Sequence, residues 1–176
     1  MSRPELTLFS YEVMGLVGET GAGPHDLLQM ARRGRLLDWA GESQYYVEPK
    51  RLAKLGYLEA RQAPGRTRAR TVYSLTDKGR EALRAWARTP VTVTPLKSEP
   101  LLRLLVADVV GEELTRAALA TLREDLADLV ERLDASEAAA EALPHRAGNL
   151  LLINRFLRGF VALHEQLVDE AEDELR

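Results

Sequence analysis

Four arginines, Arg61, Arg66, Arg68 and Arg70, surround the Pro64-Gly65 turn in the run RQAPGRTRARTVYSLTDKGREAL, and no acid follows until Asp77. A guanidinium is a planar fork of donors that matches the oxygens of a phosphate. Gathered on one turn, such groups are suited to holding a polyanion, not to making or breaking bonds. If the strand is regular, alternation puts Arg66, Arg68 and Arg70 on one face. The competing use of the run is a solvated basic loop.

Other chemistry finds no constellation. His25, His145 and His164 fall in separate segments, none spaced with a carboxylate as a metal motif, and His164-Glu165 lacks the second histidine of a zinc-peptidase helix. The glycines of GETGAG follow no strand and lack the Lys-Ser/Thr of a phosphate-binding loop. Ser10 and Ser43 have no base partner, and there is no cysteine, which excludes disulfides and thiolate chemistry. The expectation is a protein that is not an enzyme and carries no metal or cofactor.

The elements that must position the arginines follow from periodicity. Leu6, Phe9, Val13 and Leu16 or Val17 predict a helix over Leu6 to Val17, closed by GETGAGP. A second helix is predicted from Pro24 to Arg33, followed by RRGR and by Trp39 in a short extended piece. Ser43 is placed as N-cap of a third helix carrying Leu52 and Leu55 and ending at Gly56. Pro49 conflicts with that helix: it either starts later, near Glu48, or bends there. YLEAR and TVYSL flank the arginine turn as a hairpin. Thr76 then caps a helix from Asp77 to about Ala87, bearing Leu83 and Trp86.

Pro90, Pro95 and Pro100 mark a connector, dividing the chain into residues 1–89, a linker at 90–99 and a helical region at 100–176. Beyond the linker, a helix is expected from Pro100 to Val110. Another is expected from Glu112 to Leu143, where Leu119, Leu122, Leu126, Leu129 and Leu133 keep coiled-coil spacing. The last is expected from Asn149 to about Glu174. The fold class is therefore mainly α with one small β-hairpin.

The charge follows the same division. Residues 1–97 hold 16 Lys/Arg against 10 Asp/Glu, a balance of +6; residues 98–176 hold 8 against 17, a balance of −9, giving the net −3. Such asymmetry points to a basic, nucleic-acid-facing region. The chain is 45% hydrophobic, no apolar run approaches the roughly 18 residues of a membrane span, and the N-terminus has no signal-like segment, so the expected location is cytoplasmic.

Three helices, a hairpin and a fourth helix make the plan of a winged helix-turn-helix. The sequence SQYYVEPKRLAKLGYLEAR…GRTRARTVYSLTDKGREALRAW resembles the PadR family of bacterial transcriptional regulators. The likeness rests on Tyr46, Lys50-Arg51-Leu52 and Gly56, then Tyr73, Leu75, Thr76, Gly79 and Arg80, and it spans roughly residues 6–90. Val47 and Pro49 stand where members often have proline and leucine. The resemblance implies a homodimeric repressor that binds double-stranded DNA at a palindromic operator. Ser43, Gln44, Tyr45, Tyr46 and Lys50 are then candidates for contact from the third helix, with Tyr45 equally placed to be core. Arg66, Arg68 and Arg70 are the wing candidates, and Arg32, Arg33 and Arg35 possible backbone contacts. Tyr73 and Leu75 are assigned to packing.

The resemblance also implies a dimer built on the helical region, through Leu122, Leu126, Leu129, Ile153, Phe156, Leu157 and Phe160. The same leucines can instead close a hairpin within the chain, leaving Phe156 and Phe160 for the partner. Some members bind small aromatic or lipophilic effectors, for which Trp86 is the candidate here; its competing use is packing. The alternative function is a winged-helix protein-interaction module that does not bind DNA.

Overall fold

The computed structural model describes residues 5–33, 40–64, 69–93 and 96–175. The backbone packs as two units, Met1–Thr92 and Val93–Arg176. The predicted Trp39 segment, Arg35, the side chain of Arg33, and Arg66 and Arg68 lie outside the described residues.

In the first unit α1 (Leu8–Val17) starts two residues later than its apolar pattern. Thr7 Oγ1 accepts from the Ser10 N–H, and Ser10 Oγ accepts from the Thr7 N–H at 2.9 Å, a reciprocal cap that fixes the start. Helix α2 (Pro24–Arg33) opens on proline, whose missing N–H costs nothing there. The Asp26 carboxylate reaches back to accept from the Gly23 N–H at 3.0 Å.

Helix α3 (Gln44–Lys54) corrects two expectations. Ser43 does not cap it: its φ and ψ, −59° and −28°, are already helical, and its hydroxyl makes no capping bond. Backbone bonds from Gln44 N to Gly41 O (2.9 Å), from Tyr45 N to Glu42 O and from Tyr46 N to Ser43 O take up the first-turn donors instead. Pro49 lies inside a continuous helix that neither starts late nor ends there. Interior proline costs about 3 kcal/mol. That cost is offset by burial of Pro49 and by three side chains that tie α3 into α1. Tyr45 Oη donates to Glu12 (2.9 Å), Ser10 Oγ donates to Glu48 (2.7 Å), and Arg51 donates to both Glu48 and Ser10. The helix stops at Gly56, φ +80°, where Tyr57 N bonds Leu52 O and Gly56 N bonds Ala53 O.

Strands β1 (Leu58–Ala63) and β2 (Arg70–Leu75) pair antiparallel, from Leu58 opposite Leu75 out to Ala63 opposite Arg70. Among the described residues of the hairpin, the buried ones are Leu58, Tyr73 and Leu75 at its base. The glycine-rich run after α1 places Ala22 beside β2, exchanging hydrogen bonds with Tyr73 at 3.0 and 2.9 Å. Helix α4 (Asp77–Ala87) is capped by Thr76, whose Oγ1 accepts from the Gly79 N–H and lies 2.7 Å from the Gly56 carbonyl oxygen. Gly79 has no room for a side chain, because a Cβ there would sit 2.2 Å from the Tyr57 carbonyl oxygen. Arg80 spans Glu19, Asp77 and the Leu75 carbonyl. Val13, Met14, Val17, Leu27, Tyr45 and Leu52 fill the core between these elements.

In the second unit two expected helices are each divided. Val106 (φ −104°, ψ 7°) separates α5 (Glu99–Leu105) from α6 (Ala107–Val110). Thr121 separates α7 (Glu112–Ala120) from α8 (Leu122–Glu141), its hydroxyl donating to the Ala118 carbonyl at 2.7 Å, a local bond that competes with the helix ladder. Helix α9 (Ala147–Glu174) returns antiparallel along α8. Arg158 bonds Asp134 and Glu137, Arg123 bonds Asp169 and Glu172, and Asn154 accepts from Ser136.

Candidate nucleic-acid interface

Burial along α3 divides its residues cleanly. Tyr45, Glu48, Pro49 and Leu52 are buried, while Gln44, Tyr46, Val47, Lys50 and Lys54 are exposed, with Ser43 just ahead of them. Spacings of three and four place the exposed set on one face. Within α3 that face carries Lys50 and Lys54 and no carboxylate; Glu42, exposed just ahead of it, is paired with Arg32. Glu48, the acid within α3, points inward and is held by Ser10 and Arg51. The bond from Glu48 raises the Arg51 guanidinium above its already high pKa. The outcome is a cationic helix face with amide, phenol and hydroxyl groups near its N-terminal end, the donor and acceptor types that read base edges in a major groove.

Four of the helix candidates, Ser43, Gln44, Tyr46 and Lys50, stand on this face. Tyr45 does not, which corrects its placement among the contact candidates. It is 1% exposed, packs edge-on against Phe9 at 5.1 Å between ring centroids, and spends its hydroxyl on Glu12. Sequence reasoning passed over Val47 and Lys54. Their signal was available: both fall on the stripe through Ser43 and Lys50 at helical spacing.

At the outer end of the hairpin, Arg70 is exposed and pairs with Asp26 of α2 at 3.2 Å. An ion pair this open to water is worth about 0–1 kcal/mol, so a phosphate can compete for Arg70. Arg61 pairs with Glu59 on its own strand, and Arg32 with Glu42, again on the surface. Tyr73 and Leu75 are core residues, as their assignment to packing expects. Trp86 of α4 stacks on Tyr11 of α1, centroids 4.7 Å apart and rings within 10° of parallel, and stays 41% exposed.

In the second unit Leu126, Leu129 and Leu157 are buried within the α8–α9 hairpin, which removes them from the set available to a partner. Leu122 and Phe160 are half-buried, Ile153 is exposed, and Phe156 is 72% exposed. Among the described residues there is no cluster of three or more potential metal ligands. None of the described helices is long and apolar enough to cross a membrane.

The sequence matches no protein-family model and has no significant match among curated proteins. Solved structures do share its fold. A PadR-like transcriptional regulator from Bacillus cereus aligns with a TM-score of 0.75 at 17% identity, over 98% of this chain and 99% of that one. The virulence activator AphA of Vibrio cholerae gives 0.71 at 23% identity, over 94% and 96%. Bacillus subtilis PadR in complex with operator DNA gives 0.69 at 19% identity, over 96% and 99%. The same protein has been solved with p-coumaric acid, with a TM-score of 0.65 at 18% identity over 98% and 99%. The chain thus has the fold of PadR-type regulators, a winged helix-turn-helix followed by a helical region.

Proposed function

We propose that this chain is a sequence-specific DNA-binding transcriptional regulator of PadR type. One observation carries the proposal: the exposed face of α3 bears Lys50 and Lys54 and no acid, because Glu48 is turned into the core. A fold-mate solved on operator DNA supports it. In this proposal residues 1–89 bind DNA, residues 90–99 link, and residues 100–176 dimerise. The chain acts as a homodimer in the cytoplasm, without catalysis. Arg66, Arg68 and Arg70 belong to the wing that grips the phosphate backbone. The exposed apolar residues of the second unit, Phe156, Leu152 and Ile153 on α9 among them, supply the dimer surface. Two recognition helices then meet two half-sites about one helical turn apart.

The test is fluorescence anisotropy of the full chain on duplexes flanking its own gene, titrated with salt. Log affinity falls linearly with log salt, and removing one phosphate contact lowers the slope by about 1. Lys54→Ala is expected to do that on every duplex. Absence of salt-dependent duplex binding refutes the proposal and leaves the protein-interaction module. We place the chain as a repressor; because a fold-mate is an activator, the sign is measured with a promoter–reporter fusion in the presence and absence of the chain. An effector enters at the level of class. A fold-mate was solved with p-coumaric acid, and the open face of Trp86, backed by Tyr11, is a surface on which a planar aromatic ring can stack.

A further inference from the structure

We infer that Val47 is a specificity-determining residue that reads the C5-methyl group of a thymine; this rests on the DNA-binding proposal above. Val47 is 55% exposed on α3. A solvent-facing valine is a poor choice for a helix, because its branched side chain loses rotamer freedom there. It is also flanked by polar groups: Gln44 and Lys50 lie three residues to either side, and Ser43 lies four before. These neighbours mark the surface as one that meets a charged, hydrogen-bonding ligand, and Val47 is the apolar point within it.

On such a ligand a valine has few targets. It has no donor or acceptor for phosphate, sugar or base edge. In the major groove the apolar feature that distinguishes one standard base pair from another is the thymine methyl. Residues near the N-terminal end of a recognition helix are those that reach base edges, and Val47 is the fourth residue of α3. The restricted χ1 that makes valine unfavourable in the helix also holds its two methyls at a fixed point above the groove. Lys50 and Lys54, one and two turns on, are placed to hold the phosphates that keep this register. A protein partner would be expected to cover more than one apolar residue, and the α3 face offers Val47 with only the half-polar Tyr46 beside it.

The test separates this inference from the proposal it rests on. Duplexes bound by the full chain are selected from a random library, and each thymine of the selected site is replaced by uracil, which deletes only the C5-methyl. Burying one methyl against Val47 predicts about a fourfold loss of affinity at one position in each half-site. Val47→Ala binds the thymine duplex more weakly and no longer distinguishes thymine from uracil there, whereas Val47→Ile keeps the discrimination. Circular dichroism confirms that both variants fold. A selected site at which wild-type affinity is indifferent to uracil throughout, or a Val47→Ala variant with the wild-type thymine-to-uracil ratio, overturns this inference alone. A chain that binds no duplex overturns the DNA-binding proposal and this inference with it.

Discussion

Arg51 is the residue whose loss most directly tests how α3 is seated. Its Nη2 and Nε donate to the two oxygens of Glu48 at 2.6 and 2.8 Å, Nη2 also donates to Ser10 Oγ at 3.0 Å, and Nη1 donates to the Glu5 carbonyl at 2.9 Å. Arg51→Met keeps the aliphatic stem and removes all four bonds. Breaking a buried pair from one side costs about 3–5 kcal/mol, because a charge is left buried without its partner. An exposed pair is worth about 0–1 kcal/mol. The Glu48 side chain is 9% exposed and that of Arg51 38%, so the pair lies between these limits, nearer the buried one. We expect a loss of about 2–3 kcal/mol, which for a unit of this size is a fall in Tm of roughly 10–20 °C.

The assay is denaturant unfolding followed by tryptophan fluorescence, because both tryptophans, Trp39 and Trp86, lie in the first unit. A double-mutant cycle with Glu48→Met supplies the sharper criterion. Removing both partners is less costly than stranding one, so the double variant is expected to regain at least half of what Arg51→Met loses. Arg51→Met within about 0.5 kcal/mol of wild type, or a double variant that loses the sum of the two singles, would refute the claim that this pair holds α3 against α1.

Three further outcomes follow from particular contacts. Gly79→Ala would add about 1 kcal/mol of stability on helix propensity alone, but its Cβ would lie 2.2 Å from the Tyr57 carbonyl oxygen; a net loss of about 2 kcal/mol or more is expected in the same unfolding assay, and a gain would show that α4 approaches the Tyr57 backbone less closely than this. The Tyr57 phenol donates to Glu5 at 2.7 Å, and that bond, then burial, raises its pKa above the ordinary 10. Its stabilisation is therefore complete below that value and is lost as pH rises through the folded pKa; a stability–pH profile is expected to show this alkaline loss in wild type and lack it in Tyr57→Phe. The Nδ2 of Asn154 is buried without a partner among the described residues, while its Oδ1 accepts from Ser136 at 3.3 Å; replacing both partners, Ser136→Ala with Asn154→Leu, is therefore expected to stabilise the second unit by about 1 kcal/mol, read as a higher Tm by far-UV circular dichroism, and a lower Tm would show that the amide has a partner in the assembled protein.

What the sequence revealed depended on whether the deciding interaction was local. The bounds of α2 were readable because proline and the run of arginine at its ends are local signals. The start of α1 was not, because Thr7 and Ser10 cap each other without the usual acid at the fourth position. The leucine spacing from Leu119 to Leu133 passed over the break at Thr121, since one interrupted residue barely shifts the stripe. The same stripe was legible as buried, but not what buries it; α9 of the same chain does, which takes Leu126, Leu129 and Leu157 away from a partner. Tyr45 lies seven residues before Leu52 and so belongs to the inner stripe by spacing. What hid this was Glu48 between them, since an acid on the inner stripe makes sense only once Ser10 and Arg51, from another helix and the next turn, are seen to satisfy it.

These assignments separate what specifies the fold from what would specify the target. The residues that carry the PadR resemblance are mostly occupied inside the protein. Leu52, Tyr73 and Leu75 are core, Gly56 ends α3, Thr76 caps α4, Gly79 leaves room for a carbonyl, and Arg80 clasps the loop after α1. Each is set by the geometry of seating a hairpin between two helices, and none is free to read a base. The exposed face of α3 is under no such constraint, since Gln44, Val47, Lys50 and Lys54 can change without disturbing the packing beneath them. Of the residues that carry the resemblance, Tyr46 and Lys50 alone stand on the exposed face; the rest of the motif predicts the architecture and is silent on the operator. A chimera follows from this division. Transplanting the residues at 43, 44, 46, 47, 50 and 54 from a fold-mate of different operator preference should transfer that preference while leaving stability within about 1 kcal/mol, as surface substitutions do. Retention of the original preference would place the readout in the wing instead.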